Sequence, residues 1–446
     1  MTRSRGVAAL LLCGLLSVGL LASCRERSNS PVTLRMWAMG REGEVVGELV
    51  HDFERENPGI HVHVQQIPWS AAHEKLLTAH VGGSTPDVAQ LGNSWISEFG
   101  ALQALAPLGP WLAKSGLSRD AYFGGIWDTN VLDGTAYGVP WYVDTRVLFY
   151  RKDLLARAGY AEMPTDWEQW KQCLRAVVAR GGAQGGARRY GIFLPTNEWM
   201  EPVVLGLQNG SPLLSDGGTR GAFEQPEFRR AFEFYLSLYR EGLAPTAGLQ
   251  DIANQYQEFE RGTFAMVVTG PWNLGEFAHR LPDSLASSWA TAPLPGPNGP
   301  GVSFAGGSSL VMFKGTKHPE AAWKLMEFLS RPERQVQFWR LTGDLPARRA
   351  AWADTALTAD ARTRAFGEQL TRTAPCPMVP EWEEIATRVF EQSDRAIRGA
   401  VTPDSALAQL DRIVDKLLEK RRWLASRRAV PVHAEQVRHA PGARKS

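Results

Sequence analysis

Polar and apolar residues alternate through Val32, Leu34 and Met36, a period of two that predicts a strand. The period then changes, with Val46, Leu49, Val50 and Phe53 on one helical face over 44–56, until Asn57-Pro58-Gly59 stops the helix. Ile60, Val62 and Val64 restore the strand pattern over 60–67, a helix is predicted over 71–81, and a third short strand over 87–91. This β-α-β-α-β order predicts an α/β fold with a parallel sheet covered by helices. Ligands of such sheets bind outside the carboxyl ends of the strands. Those ends fall here at 38–41, 68–70 and 92–95.

The alternation resumes later in the chain. A helix over 165–179 carries Trp167, Trp170 and Leu174, and a strand is predicted over 190–194. A strongly amphipathic helix spans 227–241 through Phe228, Phe232, Tyr235 and Tyr239. The strand at 265–269 ends in Gly270-Pro271-Trp272, and the proline- and glycine-rich stretch 293–301 reads as a loop and a return crossing. A strand over 304–313 is interrupted by Gly306-Gly307, and a helix over 319–330 opens on a proline. Helices continue to about Lys420, and the chain beyond Ser426 has no periodic pattern and reads as a disordered basic tail over 426–446. Between the two halves lies Tyr137-Gly-Val-Pro-Trp141-Tyr-Val-Asp144-Thr-Arg-Val-Leu-Phe-Tyr150, an extended crossing segment that sets an aromatic pair beside an acid.

A chain of 446 residues is too long for one ordinary domain. The pattern divides as a signal at 1–23, a tether at 24–31, a first lobe from 32–143 plus 295–345, and a second from 144–294 plus 346–425. The formal charge of +2 hides an asymmetry: residues 420–446 hold eight Lys/Arg against one acid, so the body between Cys24 and Glu419 carries −7. A nucleic-acid binder should carry its basic residues on the folded body, which excludes that class. Arg3 and Arg5 precede the apolar run 7–21 and then Leu21-Ala22-Ser23-Cys24, a secretory signal ending in a lipobox-like sequence with Cys24 as the acylated residue. That places the chain in the periplasm or on the surface of a bacterium, held to a membrane by lipid. Cys13 leaves with the signal, and Cys173 and Cys376 are either a pair or two buried thiols.

An aromatic face beside a carboxylate suits a sugar, which has apolar C–H faces and a ring of hydroxyls. Of the sixteen tryptophans, Trp167, Trp170, Trp323 and Trp339 sit at core-like helical spacing. Trp95, Trp141, Trp199 and Trp272 lie at strand ends or in loops, where an indole offers stacking area and a donor; Trp382, after Pro380, is a further candidate. Asp144 is expected to accept sugar hydroxyls, with Arg41 and Arg348 as facing cations. His61 and His63 share one face of a strand, but the solvated face accounts for them better than a metal does. No His-Glu-x-x-His, Cys-x-x-Cys or phosphate-cradling loop occurs, so neither a metal nor a cofactor is expected; Gly181-Gly182-Ala-Gln-Gly185-Gly186 follows a helix rather than a strand. A glycoside hydrolase would need two carboxylates flanking the scissile bond, and nothing in the sequence pairs Asp144 with Glu198 or Glu201.

Taken in order, Phe53-Glu-Arg-Glu-Asn-Pro-Gly-Ile60, Thr85-Pro-Asp-Val88, the crossing segment, Arg261-Gly-Thr-Phe-Ala-Met266 with Gly270-Pro271-Trp272, Phe304-Ala-Gly-Gly307 and Pro319-Glu-Ala-Ala322 resemble the bacterial extracellular solute-binding proteins that serve sugar ABC transporters. The resemblance runs from residue 32 to about 420 and is strongest to maltose- and trehalose-binding members. It implies a two-lobe, type II periplasmic-binding-protein fold with hinge crossings, closing on an α-glucoside such as maltose, a maltooligosaccharide or trehalose. It further implies a monomer that hands its sugar to ABC permease subunits and is not an enzyme. By the same resemblance, Asp144 contacts hydroxyls, Trp272 stacks on a ring, and Gly40 and Arg41 end the first strand at the sugar. Asn93, Ser94 and Trp95 supply polar contacts, Gly306 and Gly307 let backbone amides approach, and Arg348 reaches the ligand. Relatives carry an acid in the 93–95 loop, and this chain has none. Another saccharide or a glycerol phosphate is the alternative cargo, though a phosphate should draw more cations than Arg41 and Arg348.

Overall fold

The computed structural model describes residues 31–181 and 189–428. The signal, Cys24, most of the glycine-rich loop and the chain after Arg428 lie outside the described residues. The elements that position the site are, in chain order, β1 (Val32–Met39), α1 (Gly40–Glu56), β2 (Ile60–Ile67), α2 (Trp69–Val81), β3 (Val88–Gly92), β4 (Gly138–Asp144), β5 (Val147–Arg151), α3 (Trp167–Arg180), β6 (Tyr190–Phe193), α4 (Met200–Gln208), α5 (Pro226–Arg240), β7 (Phe264–Thr269), β8 (Trp289–Ala292), β9 (Gly306–Met312), α6 (Pro319–Leu329), α7 (Pro332–Thr342), β10 (Leu345–Pro346), α8 (Trp382–Ile397), α9 (Pro403–Leu417) and α10 (Glu419–Arg428).

Two sheets organise the chain. The first runs β10-β4-β9-β3-β1-β2 and the second β8-β5-β7-β6. The parallel core expected from the β-α-β-α-β pattern is present, with β1 beside β2 from Val32↔Ile60 to Met39↔Ile67 and β1 beside β3. The sheet is mixed as a whole, because β9 returns from the second half and pairs antiparallel with both β3 and β4. A return by a long crossing is free to enter in either direction, whereas short β-α-β units are not. His61 and His63 are exposed on the outer face of β2, between the half-buried Val62 and Val64.

The crossing segment does what its composition predicts. β4 belongs to the first sheet and β5 to the second, with Thr145 and Arg146 alone between them. A second crossing lies between Ala292 and Gly306, where Ser303–Phe304 pairs with Thr373–Ala374. After β10 the chain stays with the first lobe beyond 345: Pro346 pairs with Tyr142, and a turn over Arg349–Ala353 packs against α7 before the chain joins the second lobe. The lobes also meet where Ser97 Oγ donates to the Val379 carbonyl at 3.0 Å.

Helix boundaries follow local chemistry. Asp166 caps α3 by accepting from the Gln169 amide, and prolines open α5, α6, α7 and α9, where the missing N–H costs nothing. Cys173 and Cys376 are free and buried, and burial raises both thiol pKa values, Cys173 to about 12. The helical region extends further than expected, since α10 runs to Arg428.

Candidate functional site

A cleft of about 510 Å³ opens between the lobes at the carboxyl ends of β1 and β3 and the β4–β5 crossing. Its floor is built from the first lobe. Because α1 begins at Gly40 rather than 44, Glu42 sits in the first helical turn, buried at the cleft, where a carboxylate suits the helix N-terminus. The Tyr142 hydroxyl donates to Glu42 Oε1 at 2.7 Å, and Gln90 Nε2 lies 3.1 Å from the Tyr142 hydroxyl and 3.3 Å from Ser308 Oγ. Gln90 Oε1 in turn accepts from the Met39 amide at 2.7 Å. Asn93 is buried with Oδ1 accepting from Ser309 Oγ at 2.9 Å, and its Nδ2 has no partner although it lines the cleft. A buried donor without a partner is costly unless a ligand oxygen meets it.

Carboxylates dominate the charge here. Asp344, from the turn after α7, is held well above the ordinary carboxylate range by burial and by neighbouring Glu42 and Asp144. Asp144, at the end of β4, is raised by burial, against the pull of Arg146, whose Nη1 lies 3.0 Å from Asp144 Oδ1. The same guanidinium stacks 4.4 Å from the Trp272 ring. Trp272 is 40 % exposed, and Gly270 before it has no room for a Cβ against that indole. Trp199, Met200 and Phe304 complete this wall, with Trp199 edge-on to Phe304 at 5.5 Å.

Of the residues expected from the sequence, Arg41, Asn93, Ser94, Trp95, Asp144, Trp199, Trp272, Gly306 and Gly307 line the cleft. Four do not. Trp141 is fully buried and stacked on Phe338 at 4.2 Å; its strand turns Tyr142, not Trp141, toward the cleft. Trp382 is fully buried behind Trp199, with the rings edge-on at 5.6 Å. Arg348 lies over the Tyr122 ring at 5.2 Å and donates to the Ser330 carbonyl, away from the cleft. Gly40, with φ +48°, leaves room for the Trp69 ring packed over it. Gly306 and Gly307 line the cleft, but a Cβ on Gly306 would strike the Phe304 ring and one on Gly307 the β4 backbone, so close packing is itself a reason for both glycines.

Sequence reasoning missed Glu42, Trp69, Tyr142, Arg146, Thr342 and Asp344. Trp69 falls inside the strand-end window 68–70, and Glu42 falls one residue past the window 38–41. Asp344 follows Gly343 in a turn that carries no motif. Among the described residues no group of three His, Cys, Asp or Glu is gathered for a metal ion, and no helix is long and apolar enough to cross a membrane.

Comparison with known proteins agrees with this architecture. The sequence profile described as bacterial extracellular solute-binding protein matches residues 40–336. The structure of the sugar-binding protein MalE from Xanthomonas citri superposes with a TM-score of 0.85 at 48% identity, covering 89% of this chain and 99% of that one. A putative binding protein of Brucella abortus is 27% identical over 92% of this chain and 98% of its own length. A galactooligosaccharide-binding protein of Bacillus subtilis is 25% identical over 92% of this chain and 96% of its own.

Proposed function

Because the chain belongs to the bacterial extracellular solute-binding protein family, we propose that it captures an oligosaccharide for an ABC importer, an α-glucoside such as maltose, a maltooligosaccharide or trehalose. The observation that carries this reading is the meeting of two exposed indoles, Trp69 and Trp272, with a set of fixed polar groups around a cleft of about 510 Å³. Such a volume lies within the range of ligand pockets, about 300–1,000 Å³. Trp272 offers a stacking face for a pyranose, Asp144 accepts hydroxyl protons, and Asn93 Nδ2 donates to a ring or hydroxyl oxygen. A sugar that touches both lobes only in the closed state favours closure by its differential affinity, and the closed form is what permease subunits engage.

The charge distribution favours a neutral cargo. Glu42, Asp144 and Asp344 line the cleft, Arg146 is committed to Asp144, Arg348 stays outside, and Arg41, the cation that lines the cleft among the described residues, already pairs with Glu44 at 3.0 Å. The pairing of Asp144 with Glu198 or Glu201 considered for hydrolysis is not formed at the cleft, since neither glutamate lines it. The chain is expected to act as a monomer, acylated at Cys24 in the periplasm or on the cell surface. Calorimetric titration with maltose, trehalose, maltotriose and a β-linked galactooligosaccharide, with product analysis, tests the reading. Stoichiometric binding of an α-glucoside without turnover is expected. Preference for the galactooligosaccharide, the class in the Bacillus relative's name, would replace the α-glucoside assignment, and product formation would overturn the receptor reading.

A further inference from the structure

We propose that the outer face of α9 and α10 is a docking surface for an anionic phospholipid bilayer. The two helices are separated by Leu418 alone. Along them Arg412, Lys416, Lys420, Trp423, Leu424 and Arg427 recur at mostly three- and four-residue intervals, which gathers them along one side of a helical path. Trp423 is 52 % exposed and Leu424 44 %, and Arg427 lies 4.0 Å over the Trp423 ring. Among the described residues Arg412, Lys416 and Lys420 make no hydrogen bond and no ion pair.

The inner side of the same helices is fully engaged. Val414 and Leu418 are in the core, Arg421 pairs with Glu381 at 3.0 Å, and Arg422 donates to the Thr219 carbonyl at 2.9 Å. Two acids of α9 are turned inward as well: Asp411 accepts from the Phe223 and Glu224 amides, and Asp415 from the Gly221 amide, while the exposed Asp404 at the start of the helix pairs with Arg229. What remains outside is apolar and predominantly cationic, with Glu419 as the exposed acid among Arg412, Lys416, Lys420 and Arg427. That combination is the signature of a helix lying at a membrane surface, with tryptophan at headgroup depth and cations over anionic lipid. The net charge agrees, because residues 420–446 carry +7 and the rest of the body −7, which concentrates attraction to a negative surface at this end. On the inner side, Glu381 held by Arg421 precedes Trp382, which meets the cleft residue Trp199, so these helices are braced on the element behind the cleft wall.

The test is vesicle co-sedimentation of the chain expressed from residue 25, which omits the expected acyl anchor and keeps every described residue. Binding is expected to vesicles of phosphatidylcholine with phosphatidylglycerol, not to phosphatidylcholine alone, and to fall as salt rises. Lys416→Ala and Lys420→Ala should each weaken partitioning about fivefold, and Trp423→Ala should abolish the blue shift of tryptophan emission on binding. These side chains are exposed, so the thermal midpoint should match that of the unaltered chain. No binding to phosphatidylglycerol vesicles overturns the proposal, as does binding that survives all three substitutions. Self-association that Trp423→Ala removes, without vesicle binding, overturns it in favour of a second copy of the chain.

Discussion

The two walls of the cleft differ in how they are held. The first-lobe wall carries the indoles Trp69 and Trp95 over a polar, cross-braced floor: Glu42, Gln90, Tyr142 and Ser308 satisfy one another, and Asn93 is fixed by Ser309. The second-lobe wall is mostly aromatic and apolar, and its most exposed member, Trp272, is steadied by a guanidinium rather than by packing. Hydrogen bonds need direction, so groups fixed before the ligand arrives lose little freedom on binding. Stacking tolerates more variation in ring position. The polar wall is therefore expected to choose the sugar, and the aromatic wall to hold whatever sugar is chosen.

The comparison breaks most clearly at what stands behind each wall. Behind the polar wall, Trp141 is core, and Trp141→Ala should cost about 3–5 kcal/mol of stability in a denaturant titration. A variant that kept its stability but lost sugar affinity would return Trp141 to the site. Behind the aromatic wall, burial and the neighbouring Glu198 raise Glu201 to a pKa of about 8. Its neutral form fits the fold, so the stability it contributes is complete below the ordinary carboxylate pKa, about 4.5, and is lost as pH rises toward about 8. Glu201→Gln should flatten that slope, a difference on the order of 3 kcal/mol between about pH 5 and pH 8. An unchanged slope would mean that the carboxyl behind this wall is already ionised.

Much of this was readable before any coordinates. The period-two and helical runs located both sheets' main strands, and β2 matches its expected range of 60–67 because a glycine turn precedes it and buried Ile67 closes it. Strand-end reasoning placed Trp95, Asp144 and Trp272 at the cleft. It failed where the outcome depended on which way a strand faces. Trp141 and Tyr142 are neighbours with opposite sides, and resemblance of the segment does not tell the two apart. It failed again at Asp344, whose position depends on a turn after α7 that only the packing of β10 against β4 brings to the cleft. The apolar face that marks α1 in the sequence starts only at Val46, whereas the helix begins at Gly40, and Gly40 and Gly43 make the close contacts at the strand end.

The next test falls on the junction between the walls. Asp144→Ala should weaken sugar binding ten- to hundredfold, about 1.5–3 kcal/mol, through loss of a charge-assisted acceptor and release of Arg146 from its partner. The thermal midpoint should change little, since the carboxylate is only partly buried by area and burial already opposes its charge. Unfolding of this variant would make Asp144 a structural residue instead.

The smallest effect, and the sharpest for the comparison, concerns Trp272. Its ring already has one occupied face, under Arg146 at 4.4 Å, so a sugar gains only the remaining area. Trp272→Ala should therefore cost about tenfold in affinity, roughly 1.4 kcal/mol, and Trp272→Phe much less. If the aromatic wall holds without choosing, the loss should be nearly equal for maltose and trehalose, while Asn93→Ala should shift their ratio. Titrating both variants against both sugars checks this. Equal ratios in both variants, or a ratio that moves with Trp272 alone, would assign selection to the aromatic wall and leave the braced polar groups as scaffolding.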